Sequence, residues 1–145
     1  MELNDLEAIR QLTHLYAYHI DHFELEPLTA LWTEDAVLDE SRVGLQAHRG
    51  RDQIRESFVQ VFAVMKSQMH LTGNFILREL AGDNAKGTCY YFVEGVVQGG
   101  GKVRATGYYE DEYVRSAEGW HFKSRSVFSF NPPELAAYQT ELMSA

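Results

Sequence analysis

Two phenols, two imidazoles and a carboxylate crowd one stretch, Tyr16-Ala17-Tyr18-His19-Ile20-Asp21-His22-Phe23, that is otherwise apolar enough to be buried. Such groups held against an apolar core are what general acid–base chemistry uses. A base that works near neutral pH must complete a site of this kind, and His70 is the candidate. It opens the run Met69-His70-Leu71-Thr72-Gly73-Asn74, where strand alternation puts His70, Thr72 and Asn74 on one face. Asp21 is its natural partner, because a carboxylate that accepts the proton of one ring nitrogen fixes the tautomer and makes the other nitrogen more basic. Tyr16 sits on the apolar stripe of the same helix and can donate to a carbonyl or leaving group. Plainer roles compete for all three: a strand-end histidine, a helix-end acid and a core tyrosine. Tyr16 and Asp21 are also about 140° apart on an ideal helix, so both can serve one cavity only if the helix ends near Asp21 or the cavity wraps around it.

Other polar groups stand among apolar neighbours. Glu94 interrupts Tyr90, Phe92 and Val96 on one face of a strand, and Arg125 lies between Lys123 and Val127 in another. Burying either costs free energy unless it is paired, so each is a candidate substrate contact or a solvent-facing edge residue. Phe58, Phe62, Phe92 and Phe128 are candidate apolar walls. His14, His19, Asp21 and His22 offer a competing metal site, since helical histidine pairs can ligate zinc. Their spacing is loose and no HExxH motif accompanies them, so neither metal nor cofactor is expected. There is no GxSxG nucleophile motif, and Gly99-Gly100-Gly101 is followed by a strand rather than a helix, which makes it a turn.

The elements that must position these groups follow from periodicity. Asn4, with Glu7 three residues on, caps a helix carrying Leu6, Ile9, Leu12, Tyr16 and Ile20 to about Phe23. Pro27 to Thr33 reads as a short second helix, and Ala36-Val37-Leu38-Asp39 as a strand. Ser41 to Arg49 reads as a loop. Gly50-Arg51-Asp52 opens a third helix with Ile54, Phe58, Val61, Phe62 and Met65 on its apolar face. Long strands follow over 69–80, 85–98, 102–115 and 120–130, ended by Pro132-Pro133. The tail, Glu134 to Ala145, is a short helix or a frayed end. Helices first and then long strands joined by tight turns mean an α+β domain, one domain over 1–145, with helices closing a curled antiparallel or mixed sheet around a pocket. Ser41 to Arg49 and the Pro-Pro tail are candidate lids.

Composition narrows the function classes. The chain has 145 residues, is 45% hydrophobic and carries a net charge of −8, with a pI near 5.2. An acidic chain without a basic run is a poor nucleic-acid ligand. No apolar run approaches membrane-spanning length and the acidic N-terminus is no signal peptide, so a cytoplasmic protein is expected. The one cysteine, Cys89, lies in an apolar aromatic run and reads as a buried strand residue.

The order of these motifs resembles a known family. A helix with Tyr16 and Asp21 is followed by Leu31-Trp32-Thr33-Glu34-Asp35-Ala36, Gly50-Arg51-Asp52-Gln53-Ile54, His70-Leu71-Thr72-Gly73-Asn74, Tyr109-Glu110-Asp111-Glu112-Tyr113 and Trp120-His121-Phe122. This resembles the SnoaL-like branch of the NTF2-like (cystatin-like) α+β cones, nearest to the scytalone dehydratase, bile-acid 7α-dehydratase and hexachlorocyclohexane dehydrochlorinase group. The resemblance implies an Asp21–His70 catalytic dyad, with Tyr16 matching the tyrosine of the bile-acid enzyme. Glu94 and Arg125 fall near an acid of that enzyme and a last-strand arginine of the dehydrochlorinase. It implies a cofactor-independent lyase acting on a small hydrophobic cyclic or polyketide-like substrate. The alternatives are a non-catalytic small-molecule-binding domain and a ketosteroid-isomerase-like isomerase. By analogy with fold relatives, a homo-oligomer (a dimer or trimer through the sheet) is expected.

Overall fold

The computed structural model describes residues 3–144. The first helix, α1 (Asp5–Asp21), is capped by Asn4, whose side chain accepts from the Glu7 N–H at 2.9 Å. Such a cap is worth about 1 kcal/mol. The reciprocal half of a capping box is absent, because the Glu7 side chain pairs with Arg10 instead. Ile9, Leu12, Tyr16 and Ile20 form the buried stripe, as their spacing requires, while Leu6 stays largely exposed.

The second helix, α2 (Leu25–Thr29), stops earlier than the sequence suggests. Trp32 belongs instead to β1 (Trp32–Asp39), twice the length expected, and is fully buried. Tertiary burial of the indole has overridden local helix propensity. A short strand β2 (Ala47–Arg49) lies within the segment expected to be loop, paired antiparallel to β1. The third helix, α3 (Arg51–Val64), is followed without a loop by β3 (Met65–Ala81), so Met65 starts the strand rather than ending the helical stripe. Then come β4 (Asn84–Val97), β5 (Lys102–Ser116) and β6 (Gly119–Ser129). A fourth helix, α4 (Ala136–Ser144), forms in the tail. Among the described residues no helix is long and apolar enough to cross a membrane.

The six strands make one sheet in the order β2-β1-β6-β5-β4-β3. Pairing is antiparallel except between β1 and β6, which run parallel. The sheet is therefore mixed, and the fold is α+β. Register shifts interrupt β3 against β4 near Ser67, between Gly73 and Ile76 and again beyond Leu77, and interrupt β6 against β5 beside Lys123. Extra residues of this kind bend a strand and increase its twist, which curls the sheet around α1 and α3. The inner face joins the α1 and α3 stripes in one core cluster containing Tyr16, Trp32, Phe58, Tyr109 and Phe122. A second, smaller cluster of Val64, Met65, Val97 and Val103 closes the other end under Leu135, Tyr138 and Leu142 of the tail. The cavity lies between the two.

Candidate active site

The cavity, of about 120 Å³, is lined from α1 by Tyr16 and Ile20, from β3 by Gln68 and His70, and from β4 and β5 by Tyr91, Val93 and Tyr109. Its size is close to the ~150 Å³ that admits a benzene ring in an apolar protein interior. Both segments expected as lids supply wall residues: Val43 and Leu45 from one, Leu135 and Tyr138 from the other. The tail is held in place by paired backbone hydrogen bonds between Arg104 and Glu134 and by Glu141, which accepts from the Gly99 N–H at 2.8 Å.

Asp21 and His70 meet. The imidazole Nδ1 lies 2.6 Å from Asp21 Oδ1, and the His70 backbone N–H donates to Asp21 Oδ2 at 2.8 Å. Both carboxylate oxygens are thus committed to one residue, which fixes the ring through two separate contacts. The helix geometry works because α1 ends at Asp21 itself. The carboxylate reaches sideways onto β3 from behind the ring, and it is His70, not Asp21, that faces the cavity. With Nδ1 occupied, Nε2 is the nitrogen left for a ligand. The Asp21 and His70 side chains are only 16% and 9% exposed, so bulk water screens the pair weakly. Thr72 faces the same helix, 3.2 Å from His14 Nδ1, as alternation requires. Asn74 does not continue that face: it takes a left-handed conformation (φ 49°) at the register break.

Tyr16 stands edge-on to His70, with ring centroids 6.4 Å apart at 88°. Burial pushes its phenol well above the ordinary value, with Glu40 adding to the rise and Arg125 opposing it. The hydroxyl therefore keeps its proton throughout the physiological range and is a donor. Tyr91 stacks on Tyr109 at 4.7 Å, donates to the Phe128 carbonyl at 2.9 Å and is pushed up to about 12, mainly by burial.

The expected substrate contacts lie elsewhere. Glu94 is 57% exposed on the outer face of the sheet, 3.8 Å from Arg104. Phe92 shares that face beneath the Arg104 guanidinium, and Phe128 stacks on Tyr108 there. Alternation carries Tyr91, Val93 and Val127 inward in their place. Phe58 is buried against Tyr16 and Trp32 in the core, and Phe62 packs on Phe23; neither lines the cavity. Arg125 is fully buried below it. Its Nε and Nη2 donate to the two oxygens of Asp111, each at 2.8 Å, and its guanidinium lies 4.4 Å from the Tyr16 ring centroid and 3.8 Å from that of Tyr109. Arg125 supports the phenols that face the cavity rather than the ligand itself. The helix histidines also part company: His19 pairs with Glu24, and His22 stacks on Tyr18. Cys89 is buried, which pushes its thiol up to about 11 and leaves it unreactive.

Sequence reasoning missed Tyr91, Tyr109 and Glu40. A signal for Tyr91 was present. On β4 the alternate set Lys86, Tyr90, Phe92 and Glu94 carries two charges, while Ala85, Cys89, Tyr91 and Val93 carry none. The uncharged set is the one a buried face selects.

Comparison with known proteins decides the family. A SnoaL-like domain model matches residues 1–126. The chain belongs to the SnoaL-like family. An uncharacterized protein of Mycobacterium tuberculosis is 31% identical over 127 residues, 86% of this chain and 84% of its own length. A crystal structure from Novosphingobium aromaticivorans, provisionally named an aromatic ring hydroxylase, is 31% identical; the match covers 94% of this SnoaL-like chain and 98% of that one, with a TM-score of 0.89. A protein of the same organism provisionally named a scytalone dehydratase (20% identity, 87% and 84% coverage, TM-score 0.80) shares the fold. So does a hexachlorocyclohexane dehydrochlorinase of Novosphingobium barchaimii (19% identity, 88% of each chain, TM-score 0.76).

Proposed function

We propose that this SnoaL-like protein is a cofactor-independent lyase that eliminates water, or another small leaving group, from a compact hydrophobic ring. The observation that carries the reading is the doubly bonded Asp21–His70 pair, with His70 on the wall of an apolar cavity. His70 Nε2 takes the proton from a carbon next to an electron-withdrawing group. The released electron pair forms the new double bond as the neighbouring carbon–oxygen bond breaks. Tyr16, which holds its proton, gives it to the departing oxygen, and water leaves. Asp21 orients the ring and balances the imidazolium charge that forms. Dehydratase and dehydrochlorinase names among proteins of this fold agree with that chemistry, and the ring-directed name of the 31%-identical structure agrees with the cavity size.

The test uses one-ring β-hydroxyketones, starting with 3-hydroxycyclohexanone, whose dehydration product is a conjugated enone with its own absorbance. Wild-type protein is expected to accelerate dehydration, His70→Gln to lose about 10²–10⁴ in rate and Tyr16→Phe a smaller factor. A protein that binds these rings but turns none of them over would be a ligand-binding domain instead.

We also propose a dimer or trimer built on the outer face of the sheet. That face exposes Met69, Leu71, Ile76, Tyr90 and Phe130, and carries aromatic contacts Tyr90–Phe130 and Tyr108–Phe128 across three strands. Sedimentation should give two or three times 16.6 kDa. Leu71→Glu, at a residue 59% exposed in the single chain, should reduce it to the monomer. A wild-type monomer would end this part of the proposal.

A further inference from the structure

Beside His70 and Tyr16, one charged residue on the cavity wall has no part in the proposed elimination. Glu40, just past the end of β1, also lines the cavity. It comes from the opposite side of the sheet to His70, since β1 and β3 are separated by β6, β5 and β4. Its backbone is pinned three times: its N–H donates to the Gln46 carbonyl at 3.0 Å, and its carbonyl accepts from the Val43 and Leu45 N–H groups at 3.2 Å each. The side chain is 24% exposed, and the imidazole Nε2 of His48 lies 3.5 Å from its Oε1. Charge-assisted hydrogen bonds are normally about 2.7–2.9 Å long, so this contact leaves the carboxylate under-partnered. Glu40 also borders a neighbouring cleft of about 620 Å³ that shares Leu45, Val61 and Tyr138 with the cavity. It therefore stands where the apolar chamber opens outward. The field of its charge reaches three phenols, Tyr16, Tyr91 and Tyr138, and contributes after burial to raising each of them.

An ionised carboxylate only accepts hydrogen bonds. In a chamber whose walls, apart from Gln68 and His70, are aliphatic and aromatic, it attracts a donor and repels an anion more strongly than it would in water. We infer that Glu40 determines ligand specificity: it accepts a hydrogen bond from a ring hydroxyl on the side of the ligand away from His70, and it excludes ring carboxylates. The inference rests on the cavity being the ligand site, which belongs to the reading above, but not on that site being catalytic.

Calorimetric titration with phenol, toluene and benzoate tests it on wild-type protein, Glu40→Gln and Glu40→Leu. Phenol and toluene have nearly the same shape and differ in the donor; benzoate carries the charge. Wild-type protein should bind phenol and reject benzoate. Glu40→Leu should lower the phenol-to-toluene affinity ratio about tenfold, the size of one charge-assisted hydrogen bond, with Glu40→Gln in between. Benzoate should gain affinity in both variants, and toluene binding reports that they remain folded. A ratio that moves less than twofold, or wild-type protein that takes up no phenol, would overturn the inference. The readout is affinity, so phenol binding through Glu40 in a protein that dehydrates none of the β-hydroxyketones would end the lyase reading and leave this one standing. Turnover with an unchanged ratio would do the reverse.

Discussion

Asp21→Asn is expected to move the proton of His70 from Nδ1 to Nε2 and to lower turnover by about 10²–10⁴. The reason lies in the number of acceptors. Asp21 offers two oxygens, and both are used, one by the His70 ring and one by its backbone N–H. Asparagine has one oxygen and one NH₂. The backbone N–H is always a donor, so it claims the oxygen, and the NH₂ is turned toward Nδ1. Nδ1 must then accept, which forces the proton onto Nε2 and removes the lone pair from the cavity. Nitrogen-15 NMR of the imidazole distinguishes the two tautomers without any substrate. Finding the same tautomer in both proteins would mean that Asp21 does not set the state of His70.

The largest effect on stability should come from Asp111→Ala. Arg125 and Asp111 are 0% and 3% exposed, and Tyr113 adds a third contact by donating to Asp111 at 2.8 Å. Burial alone would depress the Arg125 guanidinium, but the charge and hydrogen bonds of Asp111 prevail and hold it well above its ordinary value. Removing Asp111 strands that charge among the rings of Tyr16, Tyr109 and Phe122. Such a loss costs about 3–5 kcal/mol, a large part of the roughly 5–15 kcal/mol that holds a domain together. Urea denaturation should show the midpoint falling accordingly. The double variant Asp111→Leu/Arg125→Met should recover most of it, because both charges then leave the interior together. Should Asp111→Ala unfold at the wild-type urea concentration, the pair is not what braces the cavity floor.

Much of this arrangement could be read from the chain. The α1 stripe and the four long strands follow from local patterns: a 3.6-residue period, alternation and tight turns. The Asp21–His70 partnership, between residues 49 apart, is legible only through the family resemblance. The failures have two physical sources. The first is the choice of face on β4: Phe92 and Glu94 read as pocket residues, although charges at Lys86 and Glu94 mark that side as solvated. The second is irregularity. On β6 the register slips beside Lys123, so the inward set changes from Trp120 and Phe122 to Arg125 and Val127. Alternation carries no mark of such a slip. Nor does any local pattern say that Arg125 meets Asp111 on the next strand; that contact exists only once the sheet has paired. Glu40 escaped for a related reason. Its position on the cavity wall depends on how β1 lies against β6 and on where the tail docks, both long-range outcomes.

In the proposed elimination His70 takes a proton from carbon inside the cavity. Deuterium exchange measures that step directly and needs no knowledge of the leaving group. Cyclohexanone is incubated with the protein in D₂O and the loss of its α-proton signal is followed by NMR. Wild-type protein should exchange these protons well above the buffer rate, while His70→Gln and Asp21→Asn fall back toward it. Exchange no faster than buffer with wild-type protein, or equally fast with His70→Gln, would mean that His70 is not the base.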